Sequence, residues 1–460
     1  MKKTLALIMT AVLAAGLLAG CAKPQTETAV PQESTVAVEV GAAPETEAAT
    51  AAAIPETTTA VPETTAAVQE GPMLVPAPTA TLLQAAVKSH YEIAQAEDNR
   101  QIYVVTVPEA VAGGDYPALN ASLARDFDIE YKFAQSRRQE FVDAFEAAPA
   151  DDFNADRGSR TEGVITRADS SVFSMKTVNS WYNGGTYDAV IRGYNYRPSD
   201  GTLLCAADVF RDIEQLETEL KKRLQEDYPD AGFFDLENDL KSYNASLLPT
   251  DKNASEPVFS FALTADAAVF WFSKYELAPG ASGCQTVVLP YRDYAYLLNE
   301  EFMVASEDYF TPVEKDVKNL IHGHELIVSE KFRGEGDTID GVKVTFDGKE
   351  AEVSASGYKE LGIYAAVKDG KVFLYVFRNC DDDERYITVI DLNGDIQTAG
   401  EFAGGFAKEN EKAEASAPST YANITCVKQL TDPSTFALSE GKNGPAAVYT
   451  VSENGMPVKK

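Results

Sequence analysis

The chain has 460 residues, of which 45% are hydrophobic and 10% aromatic, enough apolar side chains for a sizeable core. Its formal net charge of −31 and pI near 4.5 argue against nucleic acid or an anionic membrane surface as a partner. The same charge suits a cationic partner, although acidity that only keeps the protein soluble would give the same composition.

The amino terminus predicts an export signal. Lys2 and Lys3 precede an apolar run over residues 5–18, which is too short for a membrane-spanning helix. The run ends in LLAGC, which resembles a bacterial lipobox, so residues 1–21 are predicted to be a lipoprotein signal peptide that leaves lipid on Cys21. We therefore expect an exported protein that meets the membrane only through this lipid and faces the cell wall. An ordinary secretory signal with a chance cysteine is the alternative.

Residues 22–79 are rich in Pro, Glu, Thr and Ala, with imperfect repeats such as VPETTAA. A segment with so few large apolar side chains buries too little surface to offset the entropy lost on ordering. We expect a disordered stalk that holds the folded part away from a Gram-positive membrane.

Residues 80–314 predict an α+β domain, because strands and helices interleave without regular βαβ alternation. HYEIAQAEDNRQIYVVTVPEAV predicts two strands, and the stripe that begins at Leu119 predicts a helix after Asp115 and Pro117. A second helix has Ile213, Leu216, Leu220 and Leu224 on its inner side. PVFSFALTADAAVFWFSKYELAP predicts two strands around Ala265-Asp266, and QTVVLPY predicts one more.

The stretch SWYNGGTYDAV, residues 180–190, combines a turn with aromatic side chains. Asn183-Gly184 indicates a hairpin, because type I′ turns need positive φ at both central positions. Alternation predicts that the odd-numbered positions on both sides face a core: Phe173, Met175, Trp181, Tyr187, Ala189 and Ile191. The even-numbered positions form either a second packed face or an exposed platform for a ligand. The candidate binding residues are Tyr182, Gly184, Gly185, Tyr187, Tyr194 and Tyr196.

The blocks DYPALNASL, NGGT, SDGTLLCAADVF and FALTADAAVFWFSKYELAPGASGCQTVVLPYRDYAYLL occur in this order. The series resembles the extracytoplasmic domain of the RsiV-like lysozyme-sensing anti-sigma factors of Gram-positive bacteria, a domain also found in front of some peptidoglycan deacetylases. The resemblance covers about residues 80–314. It implies an α+β recognition domain that faces the wall and, in the best-known member, binds lysozyme.

Departures from that family limit what the resemblance implies. The family turn usually reads Gly-Gly-Ala-His, whereas here Gly184 and Gly185 are followed by Thr186 and Tyr187. Any role of the family histidine is therefore not carried over. We find neither the sigma-binding segment and membrane span of the anti-sigma factors nor the metal-binding motifs of the deacetylases. We therefore expect neither a transmembrane anti-sigma factor of that type nor a deacetylase domain.

Residues 315–460 predict an all-β meander that folds as a sandwich or a small barrel, with a propeller fragment as a further alternative. Three hairpin-like units have turns at Asp347-Gly348, Asp369-Gly370 and Asn393-Gly394, at roughly even spacing.

Cysteine usage leaves the disulfide pattern open. Besides Cys21, the cysteines are Cys205, Cys284, Cys380 and Cys426. Four thiols allow three disulfide patterns. The pattern that keeps each disulfide within one predicted domain, Cys205–Cys284 and Cys380–Cys426, needs the least coincidence. Free buried thiols are the alternative. No C-x-x-C spacing supports a zinc or redox motif.

The sequence contains only weak matches to metal-binding and catalytic motifs. The two imidazoles of HGH, His322 and His324, would share one face of a strand, but no third metal ligand is identifiable. DDDE over residues 381–384 is typical of a solvated loop, and DLNGD lacks the later residues of a calcium loop. SGYK matches Ser-x-x-Lys without its partner motifs. We predict no catalytic residue, no metal and no cofactor.

These patterns favour a binding module for a cell-wall component, such as peptidoglycan, or for a cationic protein such as lysozyme. Nucleic acid is not an expected partner. The alternatives are a carboxylate-dependent wall hydrolase or deacetylase, which would need clustered acids with raised pKa values in a cleft, and a structural envelope protein.

Overall fold

A computed structural model describes residues 79–96, 98, 100–148, 157–182, 187–245, 259–333, 338–358, 361–379, 385–416, 419–441 and 444–460. These residues belong to one compact unit, Met73–Lys460. No helix within these ranges is long and apolar enough to span a bilayer. Cys21 and the predicted stalk up to residue 78 lie outside the described residues.

The helices of the described part are α1 (Pro117–Ser136), α2 (Arg138–Ala147), α3 (Ala206–Val209), α4 (Ile213–Asp227), α5 (Leu236–Ala245), α6 (Tyr291–Tyr294) and α7 (Glu300–Met303). The strands up to residue 290 are β1 (Ala85–Gln95), β2 (Gln101–Ala112), β3 (Gly158–Ala168), β4 (Phe173–Tyr182), β5 (Tyr187–Tyr196), β6 (Phe261–Leu263), β7 (Ala267–Phe272) and β8 (Gln285–Pro290). The next are β9 (Tyr309–Pro312), β10 (Asn319–Ile321), β11 (His324–Phe332), β12 (Thr338–Phe346), β13 (Lys349–Tyr358), β14 (Gly362–Lys368) and β15 (Lys371–Asn379). The last are β16 (Arg385–Asp391), β17 (Gln397–Gly405), β18 (Ala407–Ser416), β19 (Ser419–Asp432), β20 (Thr435–Glu440), β21 (Ala446–Val451) and β22 (Pro457–Lys459).

The central region is α+β, as predicted. Strands β1 and β2 form the first antiparallel pair, and α1 packs on them through Leu119 and Leu123. The predicted helix after residue 115 is broken at Arg137, so two helices share its apolar stripe. Pro117 starts α1, but Tyr116, not Asp115, occupies its N-cap position.

The core of the central region lies between α4 and the small sheet β6-β7-β8. Helix α4 begins after Asp212, whose side chain accepts a hydrogen bond from the backbone N–H of Gln215 at 2.9 Å. Three leucines of α4, Leu216, Leu220 and Leu224, are fully buried against this sheet. The predicted amphipathic helix is therefore confirmed.

The carboxy-terminal region is all-β, as predicted. Strands β14 to β17 pair consecutively and antiparallel and contain two of the three predicted hairpins. The other, at Asp347-Gly348, joins β12 and β13 in a separate sheet formed by β10 to β13. Asp347 and Asp369, the first residues of two predicted turns, have left-handed φ values of 47° and 50°. The described strands form open sheets, so the small-barrel alternative does not apply.

One large sheet joins the two regions. Its order is β5-β4-β3-β2-β1-β19-β20-β17-β16-β15-β14-β9, and β1 is antiparallel to β19, with Val87 opposite Lys428. Residues on both sides of position 314, where the sequence predicts a domain boundary, are therefore hydrogen-bonded into the same sheet.

Candidate functional site

The predicted hairpin is present. Strands β4 and β5 pair antiparallel, and Tyr182 lies opposite Tyr187 beside the turn. Gly184 and Gly185 lie outside the described residues, as do the side chains of Tyr182 and Tyr187. A binding role for the hairpin tip therefore stays a prediction.

The prediction that the odd-numbered residues of β4 and β5 share one core face was wrong. The register places Tyr194 opposite Met175 and Tyr196 opposite Phe173, so odd-numbered residues of β4 share a face with even-numbered residues of β5. Tyr196 is 1% exposed, and Tyr194 packs against the same apolar cluster. Ile191, on the other face, packs near Trp271. Both faces of β5 are thus covered.

The two described tyrosines of the hairpin have structural partners. The Tyr196 hydroxyl donates a hydrogen bond to Oδ2 of Asp126 on α1. Burial and the nearby Asp126 carboxylate hold the pKa of Tyr196 well above its usual value. Burial, followed by the nearby Glu130 carboxylate, raises the pKa of Tyr194 to about 12. Of the two alternatives for these side chains, packing is the one that the structure shows.

The thiols of Cys205 and Cys284 are free, so the disulfide between them is not formed. Burial is the main cause that raises the pKa of both, which disfavours the reactive thiolate. Cys426 is free as well, whereas Cys380 lies outside the described residues.

A different group of aromatic side chains is exposed. Tyr275, which follows β7, is 60% exposed and has φ 67°, in the left-handed region. The other non-glycine residues with positive φ in the described ranges are Asp316, His322, Asp347 and Asp369. Aspartate and histidine are enriched in that region, whereas a bulky tyrosine there is an outlier. Backbone strain of this kind clusters at functional sites, which makes Tyr275 a candidate binding residue.

A tight turn holds Tyr275 in place. The backbone N–H of Ser273 donates to Oε2 of Glu276 at 2.6 Å, and the N–H of Glu276 returns to the carbonyl of Ser273 at 3.2 Å. The ring of Tyr275 lies over Gly280, where a Cβ atom would come within 2.2 Å of its Cζ. Only a residue without a side chain leaves room for the ring at this position.

Phe234, which is also 60% exposed, lies on the neighbouring loop. Its backbone N–H donates to the carbonyl of Leu277 at 3.0 Å, and Leu277 is fully buried. The hydroxyl of Ser282 donates to the carbonyl of Ala231 at 2.6 Å, which gives a second link between the loops. We call Phe234 and Tyr275 the aromatic edge.

The aromatic edge borders a strongly acidic stretch. Residues 230–241, which we call the acidic segment, contain four carboxylates and one lysine, at Asp230, Asp235, Glu237, Asp239 and Lys241. Hydrogen bonds from Lys241 and Lys221 lower the pKa of Glu237 to about 2, so it is ionised at any physiological pH. Exposed aromatic rings beside carboxylates suit a partner that presents apolar and cationic groups together.

Sequence reasoning did not select Phe234 or Tyr275. Tyr275 lies in YELAPGASG, part of a block that carries the family resemblance, but nothing in the sequence shows that its ring is exposed or its backbone left-handed. Phe233 and Phe234 are adjacent in the sequence, and the sequence does not show which of the two side chains is buried and which is exposed.

Comparison with known proteins places the aromatic edge inside a family segment. Residues 207–292 match the model of the family described as "Protein of unknown function (DUF3298)". A solved DUF3298 family member from Bacteroides fragilis is 14% identical, and the match covers 49% of this chain and 97% of that chain with a TM-score of 0.32. A DUF3298 family protein from Pseudomonas aeruginosa is 13% identical, with coverage of 47% and 96% and a TM-score of 0.29. No curated protein matches the chain.

Proposed function

We propose that the protein is a lipid-anchored, extracytoplasmic binding module whose aromatic edge captures a cationic protein such as lysozyme. The observation that carries this proposal is the exposed, strained Tyr275 beside Phe234 and the acidic segment. The resemblance to the RsiV-like sensors and the net charge of −31 point in the same direction. A cell-wall glycan or peptide is the competing ligand.

Known protein–protein interfaces combine aromatic side chains that supply binding energy with charged residues around them. Large aromatic side chains dominate binding energy where they become buried on association, whereas charges around them mainly accelerate encounter and select partners of opposite sign. The chain as a whole attracts cations, and exposed charges of this kind are screened at high salt. Binding should therefore have one part that depends on salt and one part that depends on the two rings.

The lipid anchor follows from the LLAGC motif at Cys21 and belongs to the same proposal. An anchored module would hold the aromatic edge on the outer side of the membrane, where lysozyme and the cell wall are met. Mass spectrometry of the amino-terminal peptide after expression in a Gram-positive host tests the lipid anchor alone. An unmodified Cys21 would contradict the proposed anchor and leave the proposed binding of lysozyme untouched.

The experiment is capture of lysozyme and of purified peptidoglycan by the immobilised full chain at low and at high salt. We expect lysozyme to be retained at low salt and largely lost at high salt. Tyr275→Ser and Phe234→Ser should each weaken lysozyme binding about tenfold, which corresponds to about 1.4 kcal/mol. The matched control is Phe332→Ser, because Phe332 is 49% exposed but lies outside residues 207–292.

Three outcomes contradict the proposal. Retention of peptidoglycan without lysozyme would make the wall the ligand. Equal loss in Phe332→Ser and in the two edge variants would show a general hydrophobic effect. No retention of either ligand would leave the aromatic edge without the proposed function.

The alternative of a carboxylate-dependent enzyme has one observation in its favour. Burial raises the pKa of Asp227, and its partner Arg223, 2.8 Å away, lines a cavity of about 270 Å³. A general acid needs such a raised pKa. Release of soluble fragments when the full chain is incubated with peptidoglycan would support this alternative, and loss of release in Asp227→Asn would assign it to this carboxyl.

A further inference from the structure

The two histidines of HGH do not lie on one strand, which is the arrangement considered from the sequence. His322 and Gly323 form the turn between β10 and β11, with φ values of 50° and 79°, and His324 is the first residue of β11, opposite Ile321. The centres of the two imidazole rings are 6.5 Å apart and their planes are tilted by 33°. The hairpin thus brings both rings to one end of the sheet.

The imidazole of His324 is oriented by a carboxylate. Its Nδ1 lies 2.6 Å from Oδ2 of Asp347, and the other carboxylate oxygen accepts the backbone N–H of Glu325 at 3.0 Å. Because a carboxylate accepts hydrogen bonds, Nδ1 is the protonated nitrogen and Nε2 carries the free lone pair. Phe346 supports the ring from one side, with ring centres 5.2 Å apart. A carboxylate that fixes the tautomer in this way is a recurring partner of metal-binding histidines.

The backbone of the turn that carries His322 is also held by hydrogen bonds. The backbone N–H of His322 donates to Oδ2 of Asp266 at 2.9 Å and to the hydroxyl of Tyr309 at 2.8 Å. The side chain of His322 is exposed, with Nε2 near the turn at Gly370. The backbone is therefore held while the imidazole is free to rotate.

We propose that His322 and His324 form a two-histidine site for a divalent transition-metal ion, with Nε2 of His324 as one ligand and Asp347 as its orienting partner. Metal–nitrogen bonds of about 2.0–2.1 Å place the centres of two neighbouring ligating rings roughly 4.5 to 5 Å apart, so a rotation of the exposed His322 side chain is needed to close the observed separation. Among the described residues, no group of three or more His, Cys, Asp or Glu side chains could hold a metal ion, so water completes the coordination. Imidazole ligands favour Cu²⁺, Ni²⁺ and Zn²⁺ over Mg²⁺ and Ca²⁺.

The chain contains only three histidines, which makes the site testable without ambiguity. Calorimetric titration of the full chain with NiCl₂ should show one saturable site. His322→Asn, which keeps a residue type that tolerates positive φ, and His324→Gln should each weaken the affinity at least tenfold. Asp347→Asn should weaken it several-fold because the orienting carboxylate is lost. His90→Gln is the control, since His90 pairs with Glu109 at 2.8 Å elsewhere in the fold and should leave Ni²⁺ binding unchanged.

Nuclear magnetic resonance provides a second readout that does not depend on affinity. Substoichiometric Cu²⁺ should broaden the ring signals of His322 and His324 and leave that of His90 sharp. The proposal is wrong if Ni²⁺ shows no saturable binding, if His322→Asn and His324→Gln bind like the parent, or if the broadened ring is that of His90. Unchanged melting temperatures without metal would show that the variants are folded.

Discussion

The hairpin β4–β5 and the aromatic edge are both rich in aromatic side chains, but they use them in opposite ways. In the hairpin, Tyr194 and Tyr196 are packed, and the hydroxyl of Tyr196 is bonded to Asp126. At the edge, Phe234 and Tyr275 are both 60% exposed, and the second of them has a strained backbone. The same residue types are structural in one region and available to a partner in the other.

The difference depends on what covers each region. The hairpin is enclosed on both faces, by the cluster around Phe173 on one side and by the sheet β6-β7-β8 on the other. The aromatic edge is built from two loops that are linked by the backbone hydrogen bond from Phe234 to Leu277 and by the Ser282 hydroxyl, and both of its side chains are 60% exposed. An aromatic residue in a sequence therefore indicates a binding site only when its exposure is known.

The largest effect expected from this comparison concerns Gly193 in β5. A Cβ atom at this position would lie 2.0 Å from the carbonyl oxygen of Phe261 in β6, and backbone atoms cannot rotate out of the way. Gly193→Ala should therefore separate the hairpin from the small sheet and lower the free energy of unfolding by about 3 kcal/mol or more. Urea denaturation of the full chain measures this directly.

Gly362→Ala is the matched control for that experiment. Gly362 also belongs to a strand, as the first residue of β14, but the nearest atom to its added Cβ would be 3.6 Å away, on Phe377. This variant should change the free energy of unfolding by less than about 1 kcal/mol. Equal destabilisation by both substitutions would show that loss of glycine, and not the contact with β6, is the cause, and the account of an enclosed hairpin would be wrong.

The second prediction uses the pKa of Tyr194. This phenol has a pKa of about 12 in the folded chain, against an ordinary value of 10.0. Between these two values the unfolded chain loses the proton and the folded chain keeps it, so the stabilisation present below pH 10 is lost as the pH rises to about 12. The loss is on the order of 3 kcal/mol.

Tyr194→Phe removes this contribution. The urea midpoint of the variant should fall less between pH 9.5 and pH 12 than that of the parent. Tyr91, whose pKa burial also raises to about 12, produces the same kind of slope and remains in both proteins. Parallel curves for parent and variant would mean that Tyr194 is open to solvent, as a binding platform requires.

Much of the fold could be predicted because its signals are local. The leucines of α4 at helical spacing and the Asp-Gly turns of the carboxy-terminal meander are each contained in a few residues. The pairing of β1 with β19 could not be predicted, because Val87 and Lys428 meet only when the whole chain is folded and no local pattern encodes that contact.

The candidate site was harder to predict than the fold. Alternation gives two faces for β5 but does not say which face is opposite Phe173, since the register depends on the length of the turn. Exposure of Tyr275 depends on the absence of covering residues, which is a property of the tertiary structure. The block YELAPGASG, which contains Tyr275, lies inside the matched family segment, but the sequence pattern drew attention to the aromatic residues of the hairpin instead.

The smallest effect on stability, and the sharpest test of the comparison, is expected at Gly280. An added Cβ would lie 2.2 Å from Cζ of Tyr275, but an exposed ring, unlike a backbone carbonyl, can rotate away. Gly280→Ala should therefore change the free energy of unfolding by less than about 1 kcal/mol while it displaces the ring and weakens lysozyme capture several-fold. Gly394→Ala, where nothing lies within 4 Å of the added Cβ, should change neither quantity. If Gly280→Ala destabilises the chain as strongly as Gly193→Ala, the ring of Tyr275 is packed like those of the hairpin, and the distinction between the two regions fails.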